Sequence, residues 1–168
     1  MDTELLKKLI QILKKEYREY QKLLELAEEK KDALVANDID VLSSLLNNEE
    51  EILETINQFD AAREDIIIEL STELDLVSSE INYSQLIEHL PDKWVNKLKP
   101  VREKLLTTIN ELHELNESNK MLINEAIKLN NLTYKSIAQI IEPNNNTYNR
   151  ETTGKSDNST THIMDRKA

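Results

Sequence analysis

Cysteine is missing from this sequence, and glycine, proline and aromatic residues are scarce. The 168 residues include one glycine, three prolines, one tryptophan and one phenylalanine. Without cysteine the chain has no disulfide, thiolate metal ligand or thiol nucleophile, which fits a reducing cytosol. A single glycine also excludes the glycine-rich loops that hold the phosphates of nucleotides.

The histidines lack the partners that a metal site in a helical protein needs. Carboxylate-bridged metals in helical bundles are held by a glutamate and a histidine three residues apart. The residues three positions before the three histidines are Leu86, Asn110 and Ser159. No nucleophile elbow or dinucleotide-binding fingerprint occurs either. We therefore expect a protein that is not an enzyme and that binds no metal or other cofactor.

Long apolar runs are absent as well. The N-terminal stretch MDTELLKKLIQILKKEYREY contains no continuous apolar run of the signal-peptide type. No segment approaches the roughly 18 to 20 apolar residues that cross a bilayer as a helix. We expect a cytoplasmic protein that is not membrane-integral.

Negative charge is concentrated in one part of the chain. The formal net charge is −11, and residues 36–91 hold 14 acidic residues against one basic residue, Arg63. Because an acidic surface repels nucleic acid and anionic lipid, we expect no nucleic-acid partner. The acidic segment could steer a basic partner, but a plain solvated surface is the favoured interpretation.

Apolar residues recur at the helical period through most of the chain and predict three long helices. In the first, over 3–35, a series of residues seven positions apart is apolar: Leu6, Leu13, Tyr20, Ala27 and Leu34. The second covers about 39–78, with Asp38 as its N-cap. The third covers about 91–141, where the apolar spacing alternates between four and three as in a coiled coil. The short connection between the first two predicts an antiparallel hairpin.

The prolines and the C-terminal composition mark the remaining boundaries. A short connector helix is predicted over about 84–90, and Pro100 is expected to kink the third helix or to mark its start. Residues 143–168 are rich in asparagine, threonine and serine, which predicts a disordered tail. The predicted fold class is all-α: a long antiparallel helical hairpin and a third long helix form a coiled-coil-like three-helix bundle over 1–142.

Asparagines on the third helix are the most informative polar residues. Asn116, Asn119 and Asn130 lie on or near its apolar seam, although asparagine is a mediocre helix former. Within such a seam asparagine lowers stability and fixes register or partner. These residues therefore either edge the bundle or belong to a moderately apolar groove that holds another helix.

Several segments resemble the FlgN family of flagellar export chaperones. They are Trp94 followed at eleven residues by Leu105, the run LNESNKMLINEAIKLNN (115–131), the segment TYNRETTG (147–154) and the basic end DRKA. The order of these segments after a long hairpin is the specific part of the resemblance.

The resemblance implies a cytoplasmic chaperone of flagellar type III secretion. It would bind the C-terminal segments of hook-associated proteins, keep them unassembled and deliver them to the export gate. The expected client-binding residues are Leu115, Asn116, Asn119, Leu122, Ile123, Ala126, Leu129 and Asn130. Tyr148, Asn149 and Gly154 would dock the tail on the export gate. Two alternatives are a structural coiled-coil scaffold and a helical regulator of the export apparatus.

Overall fold

The computed structural model describes residues 3–74 and 83–141, and it is helical nearly throughout these ranges. The helices are α1 (Thr3–Ala36), α2 (Ile39–Glu73), α3 (Tyr83–Glu88) and α4 (Asp92–Ile141). No strand occurs in the two described ranges, and the predicted all-α fold class is confirmed. None of the helices in these ranges combines the length and the apolarity that crossing a bilayer requires.

The turn between α1 and α2 is set by Asn37 and Asp38. Asn37 adopts a positive φ of 53°, a conformation that asparagine tolerates better than most residues and that commonly ends a helix. The amide of Asp38 donates to the carbonyl of Ala33 at 2.9 Å. The side chain of Asp38 accepts from the amide of Val41 at 3.1 Å, so Asp38 is the N-cap of α2, as predicted.

The other helix boundaries follow from local hydrogen bonding. α2 ends at Glu73 with Leu74 as its C-cap. The predicted end near residue 78 lies outside the described residues. The carbonyl of Pro91 accepts from the amides of Trp94 and Val95 at 2.8 and 3.2 Å. Pro91 therefore precedes the first turn of α4, whereas Pro100 lies inside that helix.

The chain divides into two units, residues 1–129 and 130–168, and the core lies in the first. Its main cluster joins the first half of α1, the end of α2, α3 and the beginning of α4. The members are Leu5, Leu6, Leu9, Leu13, Ile66, Ile67, Leu70, Leu86, Leu90, Trp94, Leu98 and Leu105. Since the start of α1 packs on the end of α2 and the start of α4, α2 runs antiparallel to α1 and α4 runs parallel to it.

Two smaller clusters continue the packing toward the α1–α2 turn. One contains Leu23, Ala27, Ile56 and Leu112, and the other contains Leu26, Ala33 and Leu45. The Cα atoms of α1 and α2 approach within 8 Å along the hairpin, whereas α4 keeps a wider separation from both. α4 is thus held in the first unit mainly by side chains that reach across a larger gap.

The apolar residues of α2 form a wider stripe than the face that α2 buries. Leu45 is 5% exposed, but the adjacent Leu46 is 50% exposed, and Leu53 is also exposed. Leu46 points about 100° away from Leu45 around the helix axis, and this rotation takes it from the buried face to the surface. In the second unit, the described helical residues 130–141 include several exposed apolar side chains: Leu132, Tyr134, Ile137, Ile140 and Ile141.

We predict that Leu70→Ala lowers the free energy of unfolding by about 2–5 kcal/mol, because it leaves a cavity in the main cluster. Leu70 has no exposed surface. Ile68→Ala, at a position that is 63% exposed on the same helix, is the control and should change stability by no more than about 0.5 kcal/mol. Urea denaturation followed by circular dichroism measures both, and equal losses would contradict the packing of α2.

Candidate functional site

Asn119 lies in the middle of the face of α4 that was expected to bind a client. Its side chain is buried, with 4% of the residue exposed. Its Nδ2 donates to the backbone carbonyl of Ala27 on α1 at 2.8 Å. Its Oδ1 is buried and has no hydrogen-bond partner. Asn119 therefore holds α4 against α1 through its Nδ2, whereas its Oδ1 has no hydrogen-bond partner.

A cavity of about 290 Å³ opens beside Asn119, between α2 and α4 with α1 beneath. We call it the hairpin cavity. It is lined by Lys30, Leu34, Leu42, Leu46, Glu49, Asn116, Asn119, Lys120 and Ile123. The lining is largely aliphatic, and the ammonium of Lys30 pairs with the carboxylate of Glu49 at 2.6 Å across α1 and α2. The cavity presents a small apolar surface with a polar edge.

The structure distributes the other expected client-binding residues around α4. Leu115 lines a separate cavity between α1 and α4. Leu122 and Ala126 are half-buried, and Leu129 is exposed. Asn130 is exposed and belongs to the second unit. Of the eight residues, Asn116, Asn119 and Ile123 are brought together in the hairpin cavity.

The predicted docking residues of the tail, Tyr148, Asn149 and Gly154, lie outside the described residues, so their contribution stays a prediction.

A second cavity, of about 340 Å³, lies further along the bundle and was not anticipated from the sequence. We call it the central cavity. It is lined by Leu13, Glu16, Tyr20, Ile56, Asp60, Arg63, Tyr83, Arg102, Leu105, Leu106 and Ile109. One sequence signal pointed to it, because Arg63 is the one basic residue among the 14 acidic residues of segment 36–91.

Arg63 links α1 and α2 at the edge of the central cavity. Its Nε donates to the carboxylate of Glu16 at 3.0 Å, and its Nη2 donates to the carboxylate of Asp60. Glu16 is 3% exposed, so its negative charge is removed from water. Burial raises the pKa of the Glu16 carboxyl above its ordinary value of 4.5, and the positive charge of Arg63 opposes that rise.

Tyr83 supplies an unpaired hydroxyl at the same cavity. Its Oη is buried and makes no hydrogen bond, and the guanidinium of Arg102 lies over its ring at 4.7 Å from the centroid. Burial raises the pKa of Tyr83 to about 12. The hydroxyl therefore keeps its proton at physiological pH and is available as a donor. Among the described residues, Arg102 has no carboxylate within ion-pair distance.

The two cavities lie on the same side of the bundle. Residues seven positions apart on a helix lie nearly above one another, with a drift of about 20°. Each of the three long helices has one series of residues spaced seven apart that line the two cavities or lie between the cavities. The series are Leu13, Tyr20, Ala27 and Leu34; Leu42, Glu49, Ile56 and Arg63; and Arg102, Ile109, Asn116 and Ile123. We call this side, with both cavities, the open face.

The model of the FlgN family, described as FlgN protein, matches residues 1–155. The chain belongs to the FlgN family. The match includes the three helices that form the open face, and it extends over Tyr148, Asn149 and Gly154. No curated protein and no solved structure matches this FlgN-family chain.

Within residues 3–74 and 83–141, this FlgN-family protein has no group of three or more histidine, cysteine, aspartate or glutamate side chains arranged to hold a metal ion. The polar groups of the open face are instead amide, hydroxyl, ammonium, guanidinium and carboxylate groups, several of them already paired with one another. Such a surface is suited to binding through apolar contacts and hydrogen bonds.

We predict that Glu16 makes the stability of the protein depend on pH in an identifiable direction. A carboxyl whose pKa is raised by folding contributes stability that is present below its unfolded pKa and is lost as pH rises through its folded value. The unfolding free energy of the wild type should therefore fall relative to that of Glu16→Gln as the pH rises above about 4.5.

Urea denaturation of both proteins across this pH range measures the difference. Glu51→Gln, at an exposed position on α2, reports the effect of removing one negative charge from the surface. A relative gain by the wild type with rising pH would show that the attraction of Arg63 outweighs burial.

Proposed function

We propose that this protein is a flagellar type III secretion chaperone that binds the C-terminal segments of hook-associated proteins. It keeps them unassembled in the cytoplasm and delivers them to the export gate. The observation that carries the proposal is the FlgN-family match over residues 1–155. An open helical face with apolar cavities, within the matched region, supplies a surface on which such a segment can dock.

The aliphatic side chains around the hairpin cavity support binding of an amphipathic segment. Leu46 and Ile123 are 50% and 42% exposed on opposite sides of this cavity. Full burial of an aliphatic side chain stabilises a complex by roughly 1.5–3 kcal/mol. Three or four such contacts therefore provide about the −8 kcal/mol of binding free energy that a micromolar complex requires. This comparison does not yet include the conformational entropy that the client loses on binding. A complex of this strength is compatible with later release.

The proposed client site contains all eight residues expected from the sequence. The part of this client site on the open face consists of Asn116, Asn119 and Ile123. Leu115 lines a cavity on the other side of α4. The half-buried Leu122 and Ala126 lie between these two sides on the helix. The roles of the exposed Leu129 and Asn130 rest on the sequence pattern alone.

The proposed contact with the export gate is the tail around Tyr148, Asn149 and Gly154. A tyrosine in a polar segment provides a large contact area with few rotatable bonds. The family match supports the assignment because it extends through all three positions. In this scheme the bundle holds the client while the tail engages the export apparatus.

We predict that Ile123→Asp weakens the binding of hook-associated C-terminal segments at least tenfold. The substitution removes an apolar contact and places a charge where the client would cover it. Isothermal titration of the purified protein with the C-terminal segments of the hook-associated proteins from the same genome measures the effect.

Ile127→Asp is the matched control, because Ile127 is 52% exposed on the same helix and lines neither cavity of the open face. Circular dichroism should show that both variants remain folded. Equal weakening by the two substitutions would contradict the placement of the client at the hairpin cavity. Absence of binding by the wild type, with strong self-association on a sizing column, would favour the scaffold alternative.

Deletion of residues 144–168 should leave helicity and client binding nearly intact and abolish export of the client. The deletion removes the proposed gate contact and none of the residues that line the open face. Secretion of hook-associated protein into the medium and titration of the truncated protein are measured side by side. Loss of client binding on truncation would place part of the client site in the tail.

A further inference from the structure

The last part of α4 has an apolar stripe that the helices of one chain leave uncovered in the described ranges. Its positions follow one another at four, three, four, three and four residues, which is the spacing of the a and d positions of a coiled coil. Its five apolar side chains are between 42% and 76% exposed. We call this stripe the outer seam, and its residues are Ile123, Ile127, Asn130, Tyr134, Ile137 and Ile141.

The outer seam is distinct from the side of α4 that packs in the bundle. On that side Asn119 is buried, and Leu122 and Ala126 are half-buried. Ile123 and Ile127 directly follow the half-buried pair, and each is rotated from its predecessor by about 100° around the helix axis. A helix that keeps an apolar stripe of this kind is typically covered by another helix.

The same part of α4 is nearly free of charge. From Met121 to Ile141 the charged side chains are Glu125, Lys128 and Lys135, in a chain in which 32% of residues are charged. Residues that flank the seam of a coiled coil are commonly charged and set the choice of partner. The flanking residues of the outer seam are all uncharged: Asn124, Ala126, Asn131, Thr133, Ala138 and Ile140. Two copies of a chain with a net charge of −11 can therefore approach here with little local repulsion.

The outer seam has the same pattern in both directions along the helix. The spacing is symmetric, and the side chains have two isoleucines at each end and the two polar residues in the middle. Two identical chains that meet at a twofold axis need a surface that is complementary to itself in this way. We propose that two copies of this chain pair through their outer seams as an antiparallel dimer, with the twofold axis at the level of Leu132.

In this arrangement each position of the outer seam faces the corresponding position from the other end of the second copy. The facing pairs are Ile123 with Ile141, Ile127 with Ile137, and Asn130 with Tyr134. The Tyr134 hydroxyl donates to the side-chain oxygen of Asn130, and the twofold axis repeats this bond. A shift by one heptad would set Asn130 against an isoleucine, so the polar pair fixes the register. A parallel pair would set Asn130 against Asn130 and Tyr134 against Tyr134, which excludes this hydrogen bond.

The size of the outer seam predicts a reversible dimer. An aliphatic side chain has about 100 Å² to bury and a tyrosine about 200 Å². Scaled by their exposed fractions, the five apolar side chains supply about 350 Å² per copy and about 700 Å² for the pair. Because about 65% of a homodimer interface is apolar, the whole interface is about 1,100 Å². This area lies just below the range of about 1,200–2,000 Å² that is typical of stable complexes.

The dimer goes beyond the proposed function and does not depend on it. Ile123 and Asn130 belong both to the outer seam and to the proposed client site. A client that covers these two residues therefore competes with the second copy. The dimer would cover the apolar stripe of the protein as long as no client is bound.

Sedimentation equilibrium of the full-length protein across micromolar concentrations tests the dimer. We expect a monomer–dimer equilibrium with a Kd in the micromolar range. Ile137→Asp should raise this Kd by about a hundredfold or more, because the twofold axis places two carboxylates in the seam. Leu132→Asp is the matched control. Leu132 is 61% exposed on the same part of α4, but it lies on the opposite side of the helix from the outer seam, so the Kd should not change.

Three results would overturn the dimer. One is a wild type that stays monomeric throughout the concentration range, and another is equal weakening by the two substitutions. The third is a monomeric wild type whose binding of the hook-associated segments is weakened by Ile137→Asp, which would assign the outer seam to the client. Circular dichroism should show that both variants keep the helicity of the wild type, since both positions are exposed.

The absence of cysteine allows a direct test of the antiparallel register with single cysteines and a short bis-maleimide cross-linker. Asn131 lies next to the twofold axis, so Asn131→Cys should cross-link to itself. Asn124→Cys should not, because its two copies are offset by 14 residues, or about 21 Å along the axis. A mixture of Asn124→Cys with Ala138→Cys should cross-link, because these positions lie at the same level in the antiparallel pair.

A parallel dimer predicts a different pattern of cross-links. Asn124→Cys would then cross-link to itself as efficiently as Asn131→Cys, and this result would overturn the proposed arrangement. Failure of Asn131→Cys to cross-link at concentrations where the protein sediments as a dimer would overturn it as well.

Discussion

The packing of α1 against both of its neighbours is the constraint from which the rest of the structure follows. Every core cluster contains α1 residues, and α1 packs closely on α2 along the whole hairpin. α4 lies at a greater distance from this pair, and its side chains contribute to two of the core clusters that contain α1 residues. Because α4 stands further from α1 and α2 than these two helices stand from each other, two cavities remain where side chains of the three helices meet. The open face therefore results from the way in which the narrow apolar stripes of three helices pack against one another.

The sequence predicted those features that depend on periodicity and on local capping. The seven-residue series of α1 and the short turn with Asp38 were enough to predict an antiparallel hairpin with its second helix beginning at Ile39. The sequence did not reveal which asparagine of α4 is buried. Asn116 and Asn119 differ little in their local sequence, and only the position of the Ala27 carbonyl on α1 distinguishes them. That position depends on tertiary packing, which a linear pattern does not encode.

The central cavity was missed for a related reason. Its polar residues come from four different helices: Glu16 from α1, Arg63 from α2, Tyr83 from α3 and Arg102 from α4. None of them forms a motif with its sequence neighbours, and each alone reads as an ordinary charged or aromatic residue. Only Arg63 was unusual in context, as a lone cation in an acidic segment. A pairing across 47 residues with Glu16 is visible only when the helices are packed.

The polar atoms of the open face also bear on how a chaperone can bind firmly and still release. A groove lined only by leucine and isoleucine would favour any apolar segment and would be prone to self-association. An unpaired group such as the Asn119 Oδ1 raises the free energy of the empty face. It stabilises a complex only when the bound segment supplies a hydrogen-bond partner. A hydrogen bond that a bound segment formed with such a group would have a net strength of about 1 kcal/mol. Two contacts of this size discriminate between partners by roughly tenfold or more without raising affinity beyond the range that permits release.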